Sequence, residues 1–333
     1  KYTMRVLIVK LSAFGDILST SPIFKSIRSK SEILDHLVIE DYKVITEQNV
    51  NVDDTLCIKK NEVSLRFFLS LFKVFLQIRK KRYDVCFLFH RSLMLYFFLK
   101  VCGVGKMFGF TMKYKNLAIQ TINYNVDKNR TLQEYDILNL VFKDIPYPKK
   151  LDFYIDNSKV KINKPDGDYI TLAIGGGNIH SDIHNRAWPI EKYLNMMNSL
   201  LHKKILILGN GKYDQDILHN KNLPDNVINL INKTNINETA HLIKGSSCFI
   251  SHDMGLVHLA AALDTKIVGI YGPTDPKLAQ PLSNDFTAIT SEYFCSPCYN
   301  PLDGKNGRMY LCEDNQCMKT IKSEEVVRVI NKT

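Results

Sequence analysis

The chain has 333 residues, 45% hydrophobic and 23% charged, which is ordinary for a globular protein and enough for two domains. Lys and Arg number 44 against 34 Asp and Glu, a net charge of +10, which favours anionic partners and says nothing of fold. Eight cysteines are too few for a disulfide scaffold of this length, and no apolar run is long and uncharged enough to span a membrane, so a disulfide-knotted domain and a membrane-spanning protein are excluded.

The opening KYTMRVLIVK goes directly into a strand pattern. MRVLIVK (4–10) is a continuous apolar run, as in a strand buried on both faces. Lys1 to Thr3 precede Met4 and are set aside, no signal peptide is read, and a reducing cytoplasm is the expected compartment. LSAFGD is a turn with Asp16 at a helix start, and ILSTSPIFKSIRSK is a helix expected to bend or restart at Pro22. HLVIE is the next strand. LRFFLSLFKVFLQI (65–78) reads either as a core helix or as one lying on an anionic membrane. Between Lys59 and Arg82 there are eight Lys or Arg and one acid, Glu62, and basic flanks of this kind suit an acidic lipid surface. YDVCFLFH (83–90) is a strand, followed by the helical RSLMLYFFLKV.

Residues 143–168 are rich in Pro, Lys and Asp and read as an inter-domain connection. The rhythm then restarts. YITLAIGGG is strand into glycine loop, WPIEKYLNMMNSLL a helix with Pro189 in its first turn, and KKILILGNG strand into turn. ETAHLIKGSS, CFISHD, GLVHLAAAL and KIVGIYG alternate helix and strand. SEEVVRVINK is a last helix with Ser323 as the expected cap. The pattern predicts an α/β protein of two Rossmann-like domains with parallel sheets, 1–155 and 156–318, and a C-terminal helix over 319–333. In such sheets ligands sit beyond the carboxyl ends of the strands, so a cleft between the two halves is the expected site.

Three loops carry candidate chemistry. In FISHDMGLVHLAAALDTKIVGIYGPTDP (249–276), His252 and Asp253 stand where a strand turns and Gly255 opens a helix. The helix's unbonded N–H groups suit a pyrophosphate, with His258 in its first turns. Asp253 either caps that helix or meets a sugar hydroxyl. An ordinary capped crossover helix would look the same. In GGGNIHSDIHNRAWP (175–189), Gly176 and Gly177 free backbone amides for a phosphate and Arg186 adds charge. His180 and His184 are not expected to bind metal. At the end of the first strand, Asp16 is either an N-terminal cap or a general base.

Four cysteines, Cys57, Cys86, Cys102 and Cys248, sit in apolar runs and read as buried thiols. The others form C-x2-C-x13-C-x4-C at Cys295, Cys298, Cys312 and Cys317, a spacing that can hold zinc or iron, form disulfides or stay as free thiols. A dinucleotide-dependent oxidoreductase should carry G-x-G-x-x-G, which is absent from the sequence. A nucleic-acid-binding protein should show a basic–aromatic face, and the basic residues are dispersed outside 59–82, so no nucleic-acid partner is expected.

Taken together, MRVLIVKLSAFGDILSTSPIFKSIR, YDVCFLFHRS with GKMFGF, RAWP, DMGLVHLAAALDTKIVGIYGPTDP and CSPC…CEDNQCM resemble the heptosyltransferase family, the family 9 glycosyltransferases that build the lipopolysaccharide inner core. The resemblance spreads over nearly the whole chain, and its GLVHLAAAL…YGPTDP part is the most specific. It implies a GT-B fold, no metal requirement for catalysis and an inverting transfer from a nucleotide-sugar, usually ADP-heptose. It assigns the general base to Asp16 and donor binding to Arg186, Asp253, Gly255 and His258; Gly176, Gly177 and Met254 are counted with the donor site, and Lys10 and Arg91 are candidate acceptor contacts. The acceptor it implies is a glycolipid core at the inner face of the cytoplasmic membrane, or a protein such as an adhesin. Met254 stands where a small hydroxyl residue is frequent, Arg186 where many members have lysine, and the loop 177–185 is longer than usual.

Overall fold

A computed structural model describes residues 3–59, 65–111, 119–175 and 185–332, the side chain of Lys305 excepted. The chain forms two units, Lys1–Pro148 with Asp152–Tyr154, and Lys149–Leu151 with Ile155–Thr333.

In the first unit the apolar runs become β1 (Met4–Val9), β2 (Ser31–Ile39), β3 (Asp54–Ile58), β4 (Val85–Leu88), β5 (Lys106–Phe110) and β6 (Gln120–Ile122). They pair in parallel in the order β3-β2-β1-β4-β5-β6. The helices are α1 (Phe14–Ile27), α2 (Val44–Glu47), α3 (Leu65–Lys81), α4 (Leu93–Val101) and α5 (Arg130–Leu138). Alternation in the central strands divides the core. Leu7, Val9, Cys86 and Leu88 face α3 and α4 through Val74, Ile78, Leu95 and Leu99. Val6, Ile8, Val85 and Phe87 face α1 and α5 through Ile23, Phe24, Tyr135 and Leu138. Both faces being covered explains why β1 and β4 read as unbroken apolar runs.

The expected break at Pro22 does not occur, and α1 runs through it. The Leu18 carbonyl, which would take the missing N–H of Pro22, instead accepts the Ser21 hydroxyl at 2.6 Å. The orphaned acceptor is thus satisfied inside the helix.

The second unit repeats the plan with β7 (Tyr169–Ala173), β8 (Lys204–Ile207), β9 (Val227–Asn229), β10 (Cys248–His252), β11 (Ile267–Tyr271) and β12 (Phe286–Thr290). These are parallel in the order β12-β11-β10-β7-β8-β9. Its helices are α6 (Ile190–Asn198), α7 (Lys212–Ile217), α8 (Ile236–Gly245), α9 (Gly255–Ala262), α10 (Pro276–Ala279), α11 (Gln316–Thr320) and α12 (Ser323–Asn331). Val326 and Ile330 of α12 lie in one core with Trp188, Tyr193 and Met196. Pro189 and Lys322 are the caps of α6 and α12, so Pro189 precedes its helix and Ser323 is not the cap.

The two-unit, parallel α/β architecture expected from the sequence is therefore the one found. Among the described residues no helix is long and apolar enough to cross a membrane.

Candidate active site

In the first unit the site gathers where β1 ends. Asp16 is the third residue of α1. Its Oδ2 accepts the Ala13 N–H at 3.3 Å, and its Oδ1 meets the Arg130 guanidinium from α5. One turn further along α5, Glu134 is fully buried and receives Lys10 Nζ at 2.9 Å and the Thr20 hydroxyl at 2.6 Å. The i,i+4 spacing of Arg130 and Glu134 puts both on one face of α5. That face therefore grips β1 through Lys10 and α1 through Asp16 and Thr20. Burial opposes the charge on Lys10, but Glu134 and Asp16 outweigh it and raise its pKa above the ordinary lysine value. Lys10, expected to touch the acceptor, is thus almost wholly buried and engaged with Glu134. Arg91 is exposed beyond β4.

His90, also beyond β4, accepts the Leu11 N–H on Nε2 at 2.6 Å. Burial, with Lys10 nearby, lowers its pKa to about 3. The ring is neutral, and Nδ1 carries its proton. Arg130, Glu134 and His90 escape sequence reasoning, because nothing local marks them as partners of a turn 74 to 124 positions away.

In the second unit Gly176 and Gly177 lie outside the described residues. Gly175, at the end of β7, has its own reason to be glycine: a Cβ there would collide with the Asp214 carboxylate, as would one on Gly209. Asp214 accepts the Asn210 N–H at 3.0 Å and is buried.

Arg186 and Asp253 come together, Nη1 to Oδ2 at 3.3 Å. Asp253 does not cap α9; Met254 holds that position and offers no side-chain bond. Gly255 is the first residue of α9, and His258, its fourth, is largely buried. His252 turns inward, its Nδ1 2.9 Å from the Tyr193 hydroxyl, so it belongs to the core.

Arg186 is held from its other side by residues the sequence did not point to. Its guanidinium lies 4.7 Å over the Tyr299 ring, and its Nε donates to Met309 Sδ at 3.5 Å. Both belong to the cysteine segment. The Pro273 carbonyl accepts the N–H groups of Cys298 and Tyr299 at 2.9 and 2.7 Å, and the Gly272 carbonyl accepts the Ser296 hydroxyl at 2.5 Å. The Gly-Pro turn thus carries the segment that carries Tyr299.

Two buried hydroxyls around this turn, Tyr271 OH and Thr274 Oγ1, make no hydrogen bond among the described residues, while the buried Asp253 Oδ2 faces the Arg186 guanidinium at 3.3 Å. Burial first, then the Asp253 charge, holds the Tyr271 phenol well above its usual pKa, with Arg186 pulling the other way. Buried polar groups without partners are rare and need a reason. A polyhydroxylated ligand would supply one.

All eight cysteines are free thiols. Cys86, Cys102 and Cys248 are buried as expected, but Cys57 is only partly so. Cys295, Cys298, Cys312 and Cys317 converge on one small cavity of about 20 Å³, with Asn185 and Met309 in its wall. Asn185 Nδ2 donates to the carbonyls of Met309 and Cys312 at 2.7 and 2.8 Å. Burial and the neighbouring thiols raise the pKa of Cys298 and lift that of Cys317 to about 11. Among the described residues no three His, Cys, Asp or Glu side chains are spaced as a closed metal-ligand set.

The chain matches known proteins over most of its length. A family model, glycosyltransferase family 9 (heptosyltransferase), matches residues 71–306. Lipooligosaccharide heptosyltransferase 2 of Campylobacter jejuni subsp. jejuni serotype O:2 is 28% identical over 225 residues, covering 61% of this chain and 65% of that relative. The match therefore spans just under two thirds of the relative's length. Among solved structures, E. coli heptosyltransferase WaaC with ADP has a TM-score of 0.74 at 18% identity, over 99% of each chain. The iron-containing dodecameric glycosyltransferase TibC from enterotoxigenic E. coli H10407 has a TM-score of 0.59 at 14% identity, over 99% of this chain and 76% of that one. At these identities the structural likeness speaks to fold, and the fold is the expected GT-B. The chain belongs to glycosyltransferase family 9, the heptosyltransferase family.

Proposed function

We propose that the protein is an inverting glycosyltransferase that moves a heptose from ADP-heptose to a hydroxyl of a lipopolysaccharide-core glycolipid. The observation that carries this reading is the Arg186–Asp253 pair at the start of α9, with the buried Tyr271 and Thr274 hydroxyls, which make no hydrogen bond among the described residues, at and just beyond the end of the neighbouring β11. That is a cation and helix N-terminus for a diphosphate, beside acceptors and donors for sugar hydroxyls. Family membership and the WaaC structure with ADP support the donor.

In the reaction the acceptor hydroxyl gives its proton to Asp16 as its oxygen bonds to the anomeric carbon. The bond from that carbon to the diphosphate oxygen breaks, and ADP leaves with the electron pair. The developing negative charge falls to Arg186 and the N–H groups opening α9. Arg130 and the Ala13 N–H hold the Asp16 carboxylate in place. Asp16→Ala lowers kcat by about 10²–10⁴, the worth of a general base, and leaves ADP-heptose affinity unchanged. Calorimetric titration with ADP-heptose, set against GDP- and UDP-sugars, checks the binding half. A variant with near-wild-type turnover would show Asp16 to be only a helix cap.

The four cysteines match the donor chemistry of a thiophilic ion, zinc or iron, and line one cavity, although their thiols as placed are not spaced as a ligand set. Cys295, Cys298, Cys312 and Cys317 would hold it. Its contribution is structural: it would fasten the segment that presses Tyr299 and Met309 on Arg186. Elemental analysis of the purified protein is expected to find about one zinc or iron per chain, lost in Cys298→Ser. The same trace metal content in wild type and variant would remove this reading.

A further inference from the structure

The sequence leaves two readings of the segment 65–82, core helix or membrane contact, and the structure shows that α3 has both faces. Its inner side, Val74 and Ile78 with Phe67, Leu71 and Phe75, packs in the core. Its outer side carries a second apolar stripe, Leu65, Phe68, Leu69, Phe72 and Leu76, each at least half exposed. These five fall at i, i+3, i+4, i+7 and i+11, one row on a helix. On one flank of the row, at seven-residue intervals, stand Arg66, Lys73 and Lys80, all exposed.

α4 packs on the same core and repeats the design. Met94, Phe97 and Val101 are 81%, 56% and 66% exposed and again share one side. The two helices touch where Arg79 Nη1 donates to the Val101 carbonyl at 3.3 Å. Beyond that contact, Arg79, Arg82 and Lys106 line an open cavity of about 880 Å³. No Asp or Glu occurs in α3 or α4.

Eight outward apolar side chains in one region exceed the scattered exposure of an ordinary surface. Asp84 is an acid in the wall of that cavity, but the apolar row itself is flanked by Arg66, Lys73 and Lys80 on helices that carry no acid, and a face of this charge selects its occupant. We propose that the α3–α4 face is a docking surface for a bilayer rich in anionic phospholipid, entering the headgroup layer with its Phe and Leu side chains while Arg66, Lys73 and Lys80 meet lipid phosphates. The 17 residues of α3 extend about 26 Å and carry cations along one flank, so the helix lies in the interface and does not cross it. The inference does not rest on the donor or the reaction, since binding to lipid is read without turnover.

The test is sedimentation of the full chain with vesicles of phosphatidylcholine alone or mixed with phosphatidylglycerol, at low and high salt. Wild type is expected to pellet with the mixed vesicles at low salt and to be released by high salt. Lys73→Glu and Lys80→Glu each weaken binding by at least about five-fold. Phe68→Ser with Phe72→Ser abolishes it, while circular dichroism and cooperative unfolding show the fold retained, since both rings are more than half exposed. Wild type failing to pellet with mixed vesicles at low salt, or the Phe pair binding like wild type, would overturn the proposal. So would a concentration-dependent oligomer, without lipid binding, that disappears in the Phe variant; the face would then join copies of this chain.

Discussion

Tyr271 is fully buried at the end of β11, and its hydroxyl has no partner among the described residues. Folding gains nothing from that oxygen, so its removal separates stability from ligand binding. Tyr271→Phe is expected to leave the unfolding midpoint unchanged or raised. Donor affinity should fall by the worth of one hydrogen bond, about 0.5–1.5 kcal/mol, or roughly two- to thirteen-fold. Paired thermal denaturation and ADP-heptose titration read both numbers. A loss of stability with normal affinity would make Tyr271 a packing residue. Sequence reading found Arg186 and Asp253 through their loops, but not Tyr299 or Met309, which clamp Arg186 from 113 and 123 positions away. Arg186 was expected to add positive charge beside the phosphate; Tyr299, Met309 and Asp253 hold that charge in place.

Among the elements, α1 shows how a helix tolerates an interior proline. Ser21 is buried; its hydroxyl donates to the Leu18 carbonyl and accepts the Asp152 N–H at 2.9 Å. Ser21→Ala leaves both backbone groups unsatisfied and is expected to cost about 1–3 kcal/mol, seen as a lower urea midpoint with the fold retained by circular dichroism. Asp16 stands in the first turn of the same helix, so a bend at Pro22 would loosen the α1–α5 contact that holds Arg130 to Asp16. Helix α3 makes the complementary point. A helix apolar on two sides reads as core from its sequence, since periodicity counts apolar residues without saying which side is covered. Only the sheet and α4 decide that Val74 is inside and Phe72 outside.

Across the whole molecule, pH acts through histidines that the fold keeps neutral. Burial lowers His36 and His90 to about 3, against an ordinary value near 6.5. Below about pH 6.5 the unfolded chain takes up protons that the folded chain refuses. Stability therefore falls as pH drops from about 6.5 toward 3, by up to about 1.4 kcal/mol per pH unit for each histidine. Urea unfolding followed from pH 7 to 5 measures the slope, and His90→Gln should make it shallower. A flat profile would mean that both rings are protonated in the folded protein.

The sequence by itself determined the architecture: seven strands were legible as apolar runs, and the alternation of strand and helix set a parallel α/β fold in two halves. Those signals are local, because a strand covered on both faces must be apolar at successive positions. It also marked the site's turns, since a glycine or an acid at a helix start has a meaning within a few residues. Of the strands that escaped reading, β3, β6, β9 and β12 are sheet edges, where one-sided burial leaves shorter and more polar runs, and β5, buried on both faces, is short and broken by Gly109. The tertiary structure alone decided the partners. Asp16 meets Arg130 across 114 positions, Lys10 meets Glu134 across 124, and Arg186 lies over Tyr299. Such pairs follow from which strands are neighbours and which helices cover them, and neighbourhood in a sheet is fixed by the packing of the whole core rather than by spacing along the chain.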